Sequence, residues 1–189
     1  MIAHAPAFAA SGREFCSTKR GALSMLWGRR SVRSMRTVDQ WLDEYGASHQ
    51  NRANKLLHWI CVPVIVVSLI GLLWYLPVPQ QLRAVSPLLN WGTVLLAAAV
   101  LYYIAMSWSL ALGMVLFAVA VLASIAWLRT LPWPLWILCV GLFVVAWVGQ
   151  FIGHHYEGRR PSFFKDVQFL LIGPLWLLSF VYRKLRIPY

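Results

Sequence analysis

Three stretches of this chain contain no Asp, Glu, Lys or Arg: Leu56 to Leu82, Ala84 to Leu128 and Thr130 to Tyr156. A helix needs ~20 residues to cross the ~30 Å hydrocarbon layer of a bilayer, and each tract reaches or exceeds that length. A soluble core has no room for what remains: 60% of the residues are hydrophobic, 11 are tryptophan and only 12% are charged. The chain therefore reads as an integral, multi-pass, all-α membrane protein. The middle tract would be ~67 Å long as a single helix, so it must fold back on itself, and Met106-Ser107-Trp108-Ser109 is the expected reversal.

These tracts predict a membrane-embedded helical bundle of about four transmembrane helices. The first runs from about Leu56 to Leu76, the second and third form the hairpin within Ala84 to Leu128, and the fourth runs from about Trp133 to Ile152. Pro63 cannot donate to the carbonyl of Trp59, which predicts a kink just beyond His58. The last apolar stretch, Val167 to Tyr182, is short and carries Gly173-Pro174, so a carboxy-terminal broken or re-entrant helix is expected there.

Ahead of the spans, Thr37-Val-Asp-Gln40 fits a capping box, and Val38, Trp41, Leu42 and Tyr45 form one apolar stripe ended by Gly46. Trp and Tyr beside a membrane span predict an interfacial helix that lays this stripe on lipid. Residues 1–35 have six basic residues against a lone Glu14 and no apolar periodicity. They read as a disordered basic leader, as an organellar transit segment, or as a start placed too early with Met35 the true one. Residues 36–189 form a single membrane-embedded domain.

The net charge of +11 sits in short flanks of the apolar tracts, which argues against nucleic acid and for topology and anionic membrane lipid. With four crossings, one face collects the amino-terminal basic segment, Arg159-Arg160-Lys165 and Arg183-Lys184-Arg186, while the other holds only Arg83 and Arg129. The basic face is the cytoplasmic one. Cys16, Cys61 and Cys139 show no metal or disulfide spacing, and the two in apolar tracts read as small fillers.

Polar groups at the lipid boundary are the informative exception. His49, Asn54 and His58 stand at the mouth of the first span, and His154-His155 with Glu157 at the end of the fourth, on the same face under the four-crossing topology. On one helix Gln50, Asn54 and His58 would share a face, whereas His49 lies nine residues from His58, about 180° away. For both to reach one ion, the chain must bend between them. Gln150, His154 and Glu157 share a face and His155 points roughly 100° off it, which favours His154 as the ligand, with His155 in reserve. Four imidazoles and the Glu157 carboxylate could converge at one pocket, and imidazole with carboxylate and open positions suits a catalytic ferrous ion, zinc or another first-row metal. The alternative is that His58, Asn54 and Glu157 only anchor helix ends in a non-catalytic scaffold or lipid-binding protein. No intramembrane charge pair or inverted repeat marks a transporter.

The runs "YGASHQNRANKLLHWICVP" from Tyr45 and "GQFIGHHYEGRRPSFF" from Gly149 resemble the two signature blocks of the Mpo-like membrane proteins. That family includes a fungal 2-hydroxy fatty acid dioxygenase of phytosphingosine breakdown. The resemblance covers residues 36–186 and implies an Fe(2+)-dependent dioxygenase that converts a 2-hydroxy fatty acid and dioxygen to the acid one carbon shorter, with release of carbon dioxide. It implies His49, His58 and His154 as iron ligands and catalytic residues, with Glu157 as a further catalytic group, while His155 stands where relatives often have a smaller residue and stays a reserve ligand on position alone. Asn54, Arg159 and Arg160 are the expected substrate-binding residues, an arginine fork pairing with the carboxylate. The implied location is a bacterial inner membrane or the endoplasmic reticulum membrane, histidines toward the cytoplasm. Chain length and oligomeric state are not written in these features.

Overall fold

The computed structural model describes residues 37–86, 88–158 and 170–189. The leader, Arg159 and Arg160 lie outside the described residues. Within them the regular structure is entirely helical: α1 Val38–Gly46, α2 Arg52–Leu73, α3 Gln80–Val85, α4 Trp91–Met106, α5 Trp108–Leu128, α6 Leu135–Glu157 and α7 Ile172–Leu185. Three of these, α2, α5 and α6, are long and apolar enough to cross a membrane, while α4 is apolar but shorter at 16 residues. The protein is an integral, multi-pass helical bundle.

Local chemistry sets most boundaries. Thr37 and Gln40 form the reciprocal capping box of α1, at 3.3 and 3.1 Å. Asn51 caps α2 by accepting from the Ala53 N–H at 2.8 Å, and Pro63 lies inside α2, which runs unbroken through it. The reversal in the middle tract falls at Ser107, which ends α4 by donating to the Tyr103 carbonyl at 2.8 Å and starts α5 by accepting from the Leu110 N–H.

A seam of small residues joins α2 to α6. Asn54, Cys61 and Ser68 recur every seven residues along α2, as do Cys139, Ala146 and Gly153 along α6, and all six are buried. A Cβ on Gly153 would come within 2.5 Å of Asn54 Oδ1, one on Gly149 within 2.6 Å of Cys61 Sγ, and one on Gly71 would collide with Cys139. The two helices are therefore antiparallel and in close backbone contact, the geometry that small residues permit in a membrane. The start of α2 lies beside the end of α6.

One expectation is corrected by α7, which runs continuously over its 14 residues because Gly173-Pro174 falls in its first turn, where the missing proline N–H has no helical partner to lose. At ~21 Å it is too short to cross the bilayer. Its residues Ile172 to Leu177 are all buried, and they pack on Leu42, Tyr45, Val62, Leu110 and Met114. The apolar stripe of α1 thus meets protein: Leu42 and Tyr45 are buried, and Val38 and Trp41 pack against the same cluster. The tail is tied to the start of α5, with the Tyr182 hydroxyl donating to the Ser109 carbonyl and the Ser109 hydroxyl to the Pro188 carbonyl, both at 2.7 Å. A separate cluster around Ile70, Val121, Ile125, Leu128, Leu135 and Cys139 fills the opposite end of the bundle, without α7.

Candidate metal centre

His49 lies in the turn between α1 and α2. The chain reverses there through hydrogen bonds from the Ser48 N–H to the Tyr45 carbonyl and from the His49 N–H to the Gly46 carbonyl, at 3.3 and 3.0 Å. This is the bend that a nine-residue separation demands if the two rings are to meet, and they do: His49 Nε2 and His58 Nε2 are 2.9 Å apart. His154, carried by α6 across the small-residue seam, has its ring 5.3 Å from that of His49 and 5.2 Å from that of His58. One nitrogen from each ring lies within 4.8 Å of the others. The side chains are only 3, 2 and 7% exposed.

Hydrogen bonding fixes what two of these nitrogens can be. His49 Nδ1 sits 2.7 Å from the Tyr45 carbonyl and His58 Nδ1 sits 2.9 Å from the Asn54 carbonyl. A carbonyl only accepts, so each Nδ1 carries the proton and each neutral ring presents an Nε2 lone pair. Two nitrogen lone pairs then lie 2.9 Å apart, which is repulsive unless a cation beside them accepts both. A proton is a poor candidate, because burial, helped by the nearby His154, holds the His49 pKa down at about 4. A metal ion fits better. Ligands at right angles with ~2.1 Å bonds stand ~3 Å apart, close to this separation. Carbonyls that fix the tautomer of a ligating histidine are the usual support of such a site.

The surroundings hold His49 still. The Tyr45 ring stacks on it at 4.2 Å with planes 11° apart, and Trp176 of α7 lies 5.3 Å from both rings. Sequence reading assigned Tyr45 to an apolar stripe and saw nothing in Trp176, since neither bears a metal-ligand signal.

Glu157 is turned elsewhere. Its Oε1 accepts from the Gln50 N–H at 2.7 Å, and its Oε2 accepts from the Asn51 N–H at 2.9 Å and from Asn54 Nδ2 at 3.0 Å. Asn51 Nδ2 adds a bond to the Tyr156 carbonyl at 3.1 Å. The carboxylate from the end of α6 therefore caps the start of α2, where unpaired N–H groups and the helix dipole favour an anion. Asn54 is fully buried and links this cap to His58 through its own carbonyl. Its Oδ1 has no hydrogen-bond partner among the described residues and faces Gly153. Gln50 does not share the face of Asn54 and His58, because α2 begins after it; it is exposed and donates to the Gly46 carbonyl at 2.6 Å. His155 is exposed, beside Tyr156 and outside the three-histidine set.

A cavity opens from His58 and His154 between α2, α6 and the start of α7, lined by Val62, Ile65, Trp147, Gln150, Leu170 and Gly173 among others. Beyond the imidazoles and Gln150 it is mostly apolar.

The family model described as Mpo1-like, 2-hydroxy-palmitic acid dioxygenase, matches residues 35–185. The chain belongs to the Mpo1-like family. Neither a curated protein nor a solved structure matches it. Membership in the Mpo1-like family and a buried set of three imidazoles together support a metal-dependent enzyme of lipid metabolism.

Proposed function

We propose that this protein is an Fe(2+)-dependent dioxygenase that carries out α-oxidation of 2-hydroxy fatty acids. The observation that carries this reading is the close approach of two buried Nε2 atoms, 2.9 Å apart, beside a third imidazole at the head of an apolar cavity. His49, His58 and His154 would hold the ion. When bound, ferrous iron supplies redox capacity and open coordination positions for the carboxylate, the 2-hydroxyl and dioxygen. Overall, one 2-hydroxy acid and one dioxygen become the shorter acid, carbon dioxide and water. The bond between the carboxyl carbon and the hydroxyl-bearing carbon breaks, and the substrate itself supplies every electron that dioxygen takes.

The chain's own residues do the positioning. Tyr45 and Asn54 hold the tautomers of His49 and His58, and Trp176 closes the site from one side. The cavity would receive the first part of the acyl chain and exclude water from the reacting carbons. Glu157 and Asn54 act as positioning residues that set the start of α2 against the end of α6. Arg159 or Arg160 is assigned to the substrate carboxylate on charge alone. A four-crossing topology with this site on the basic cytoplasmic face accords with the tie between the tail and the start of α5.

The test is to incubate iron-loaded membranes with 2-hydroxypalmitate and seek the odd-chain acid by mass spectrometry. Conversion that disappears together with bound iron in His58→Ala is expected. A folded wild-type protein that binds no iron anaerobically, or a His58→Ala variant as active as wild type, overturns the reading. The latter result is what a non-catalytic scaffold would give.

A further inference from the structure

A second cavity lies beyond the first, and apart from Tyr103 its lining is apolar. It is lined by α2 (Val66, Leu69 and Ile70), α4 (Leu96 and Ala99) and α5 (Phe117), together with Pro174 at the start of α7. Its polar lining group is the Tyr103 hydroxyl, which is already committed to the Leu171 carbonyl at 2.7 Å. A polar ligand would find nothing to bond there, whereas a saturated chain would lose nothing.

Leu170 lines both cavities. The neighbouring walls also run on from one to the other: Gly173 borders the first and Pro174 the second, and Ile65 the first and Val66 the second. Along α2, His58, Val62, Ile65 and Leu69 fall at i, i+4, i+7 and i+11, so one helix face leads from the metal centre through the first cavity into the second. From His58 to Ile70 the helix rises ~18 Å. A carbon–carbon bond of about 1.5 Å at a tetrahedral angle advances about 1.25 Å along an extended chain, so that distance takes up roughly 14 bonds.

We infer that the two cavities form one acyl-chain channel, in which the first takes the carbons nearest the 2-hydroxyl, Leu170 stands at the junction, and the second receives the distal half of a long saturated chain. This rests on the dioxygenase reading, and the length that the two cavities span, about sixteen carbons by the same bond length, agrees with the acid in the family's description. A ten-carbon acid would reach only about 10 Å, well short of the ~18 Å rise to Ile70. Because the substrate arrives from lipid rather than from water, burial in the second cavity gains little solvent-driven free energy. Chain length is therefore selected by whether the distal carbons fit.

Ala99→Phe, which fills the second cavity from α4, is expected to lower the ratio of kcat/KM for 2-hydroxypalmitate to that for 2-hydroxydecanoate at least tenfold. Ala118→Phe does the same from α5, and Leu116→Phe, on an exposed face of α5, leaves the ratio unchanged. Photolabelling of the wild-type protein, which needs no variant to fold, supplies the independent readout: a 2-hydroxy acid with a diazirine at its far end should label α4 and α5 peptides. An unchanged ratio in both cavity-filling variants, or label confined to the Trp147–Phe151 side of α6, overturns the channel while leaving the dioxygenase standing. Failure of wild type to convert either acid overturns both.

Discussion

Replacing Glu157 by alanine separates a metal ligand from a residue that builds the site. Its carboxylate accepts three hydrogen bonds from the start of α2, at 2.7, 2.9 and 3.0 Å. Bonds to a buried ion are worth ~1.5–3 kcal/mol each, but Gln50 and Asn51 are exposed and water can replace much of what is lost there. The loss of a helix cap, ~0.5–2 kcal/mol, is the better guide, so a destabilisation of about 2 kcal/mol is expected. The same contacts hold the turn that carries His49. If ordering that turn must be done anew when metal binds, ~1.4–2 kcal/mol is withdrawn from binding, and the dissociation constant rises roughly 10- to 30-fold. That lies within the ~10- to 100-fold typical for groups supporting a ligand. Glu157→Gln keeps one carbonyl acceptor but turns an NH2 toward other donors, and should fall between wild type and alanine. The assay is competition titration of cobalt(II), with its absorption spectrum as a report on the ligands. A spectrum altered in Glu157→Ala would show a direct ligand, and unchanged affinity would show that the cap does not position His49. Either result refutes the reasoning.

Saturating metal should raise the thermal midpoint of the detergent-solubilised protein, by about 2.7 kcal/mol of stability at a hundredfold excess over the dissociation constant; a His154→Ala variant should lose that gain. Gly153→Ala places a Cβ within 2.5 Å of Asn54 Oδ1 and should cost ~1–3 kcal/mol and weaken metal binding, read by thermal unfolding and titration. Gly141→Ala, whose Cβ would meet nothing within 4 Å, should be silent in both. Tyr103→Phe leaves the Leu171 carbonyl without its 2.7 Å donor and should lower stability by ~1–2 kcal/mol in the same melt.

Features settled within a few residues could be read directly from the amino-acid order. The apolar tracts, the capping box at Thr37 and the reversal at Ser107 are of this kind, because backbone groups near hydrocarbon leave few alternatives. The bend between His49 and His58 was legible for a similar reason: nine residues of helix cannot bring two rings together. What depends on a distant partner was not legible. A stripe of Val38, Trp41, Leu42 and Tyr45 looks the same whether lipid or α7 covers it, and α7 does. Gln50 was misplaced because the cap at Asn51 starts α2 later than a continuous helix would. Glu157 read as a catalytic group beside the histidines, because only the N–H groups at the start of α2 reveal where its oxygens go.

The seam between α2 and α6 explains why so small a set of polar residues can be assembled at the lipid boundary. Imidazoles on separate helices approach within reach of one ion only if the backbones come close, and Gly149 and Gly153 opposite Cys61 and Asn54 provide that closeness. Close backbones alone would leave the His49 turn free to fray, since it belongs to neither helix. Glu157 restrains it from α6, Tyr45 from α1 and Trp176 from α7, so each flanking element contributes one contact that the others cannot supply. A substitution that loosens any one of them should therefore weaken metal binding without removing a ligand, while the seam, which carries His154 to the other two rings, is the element on which all of them depend.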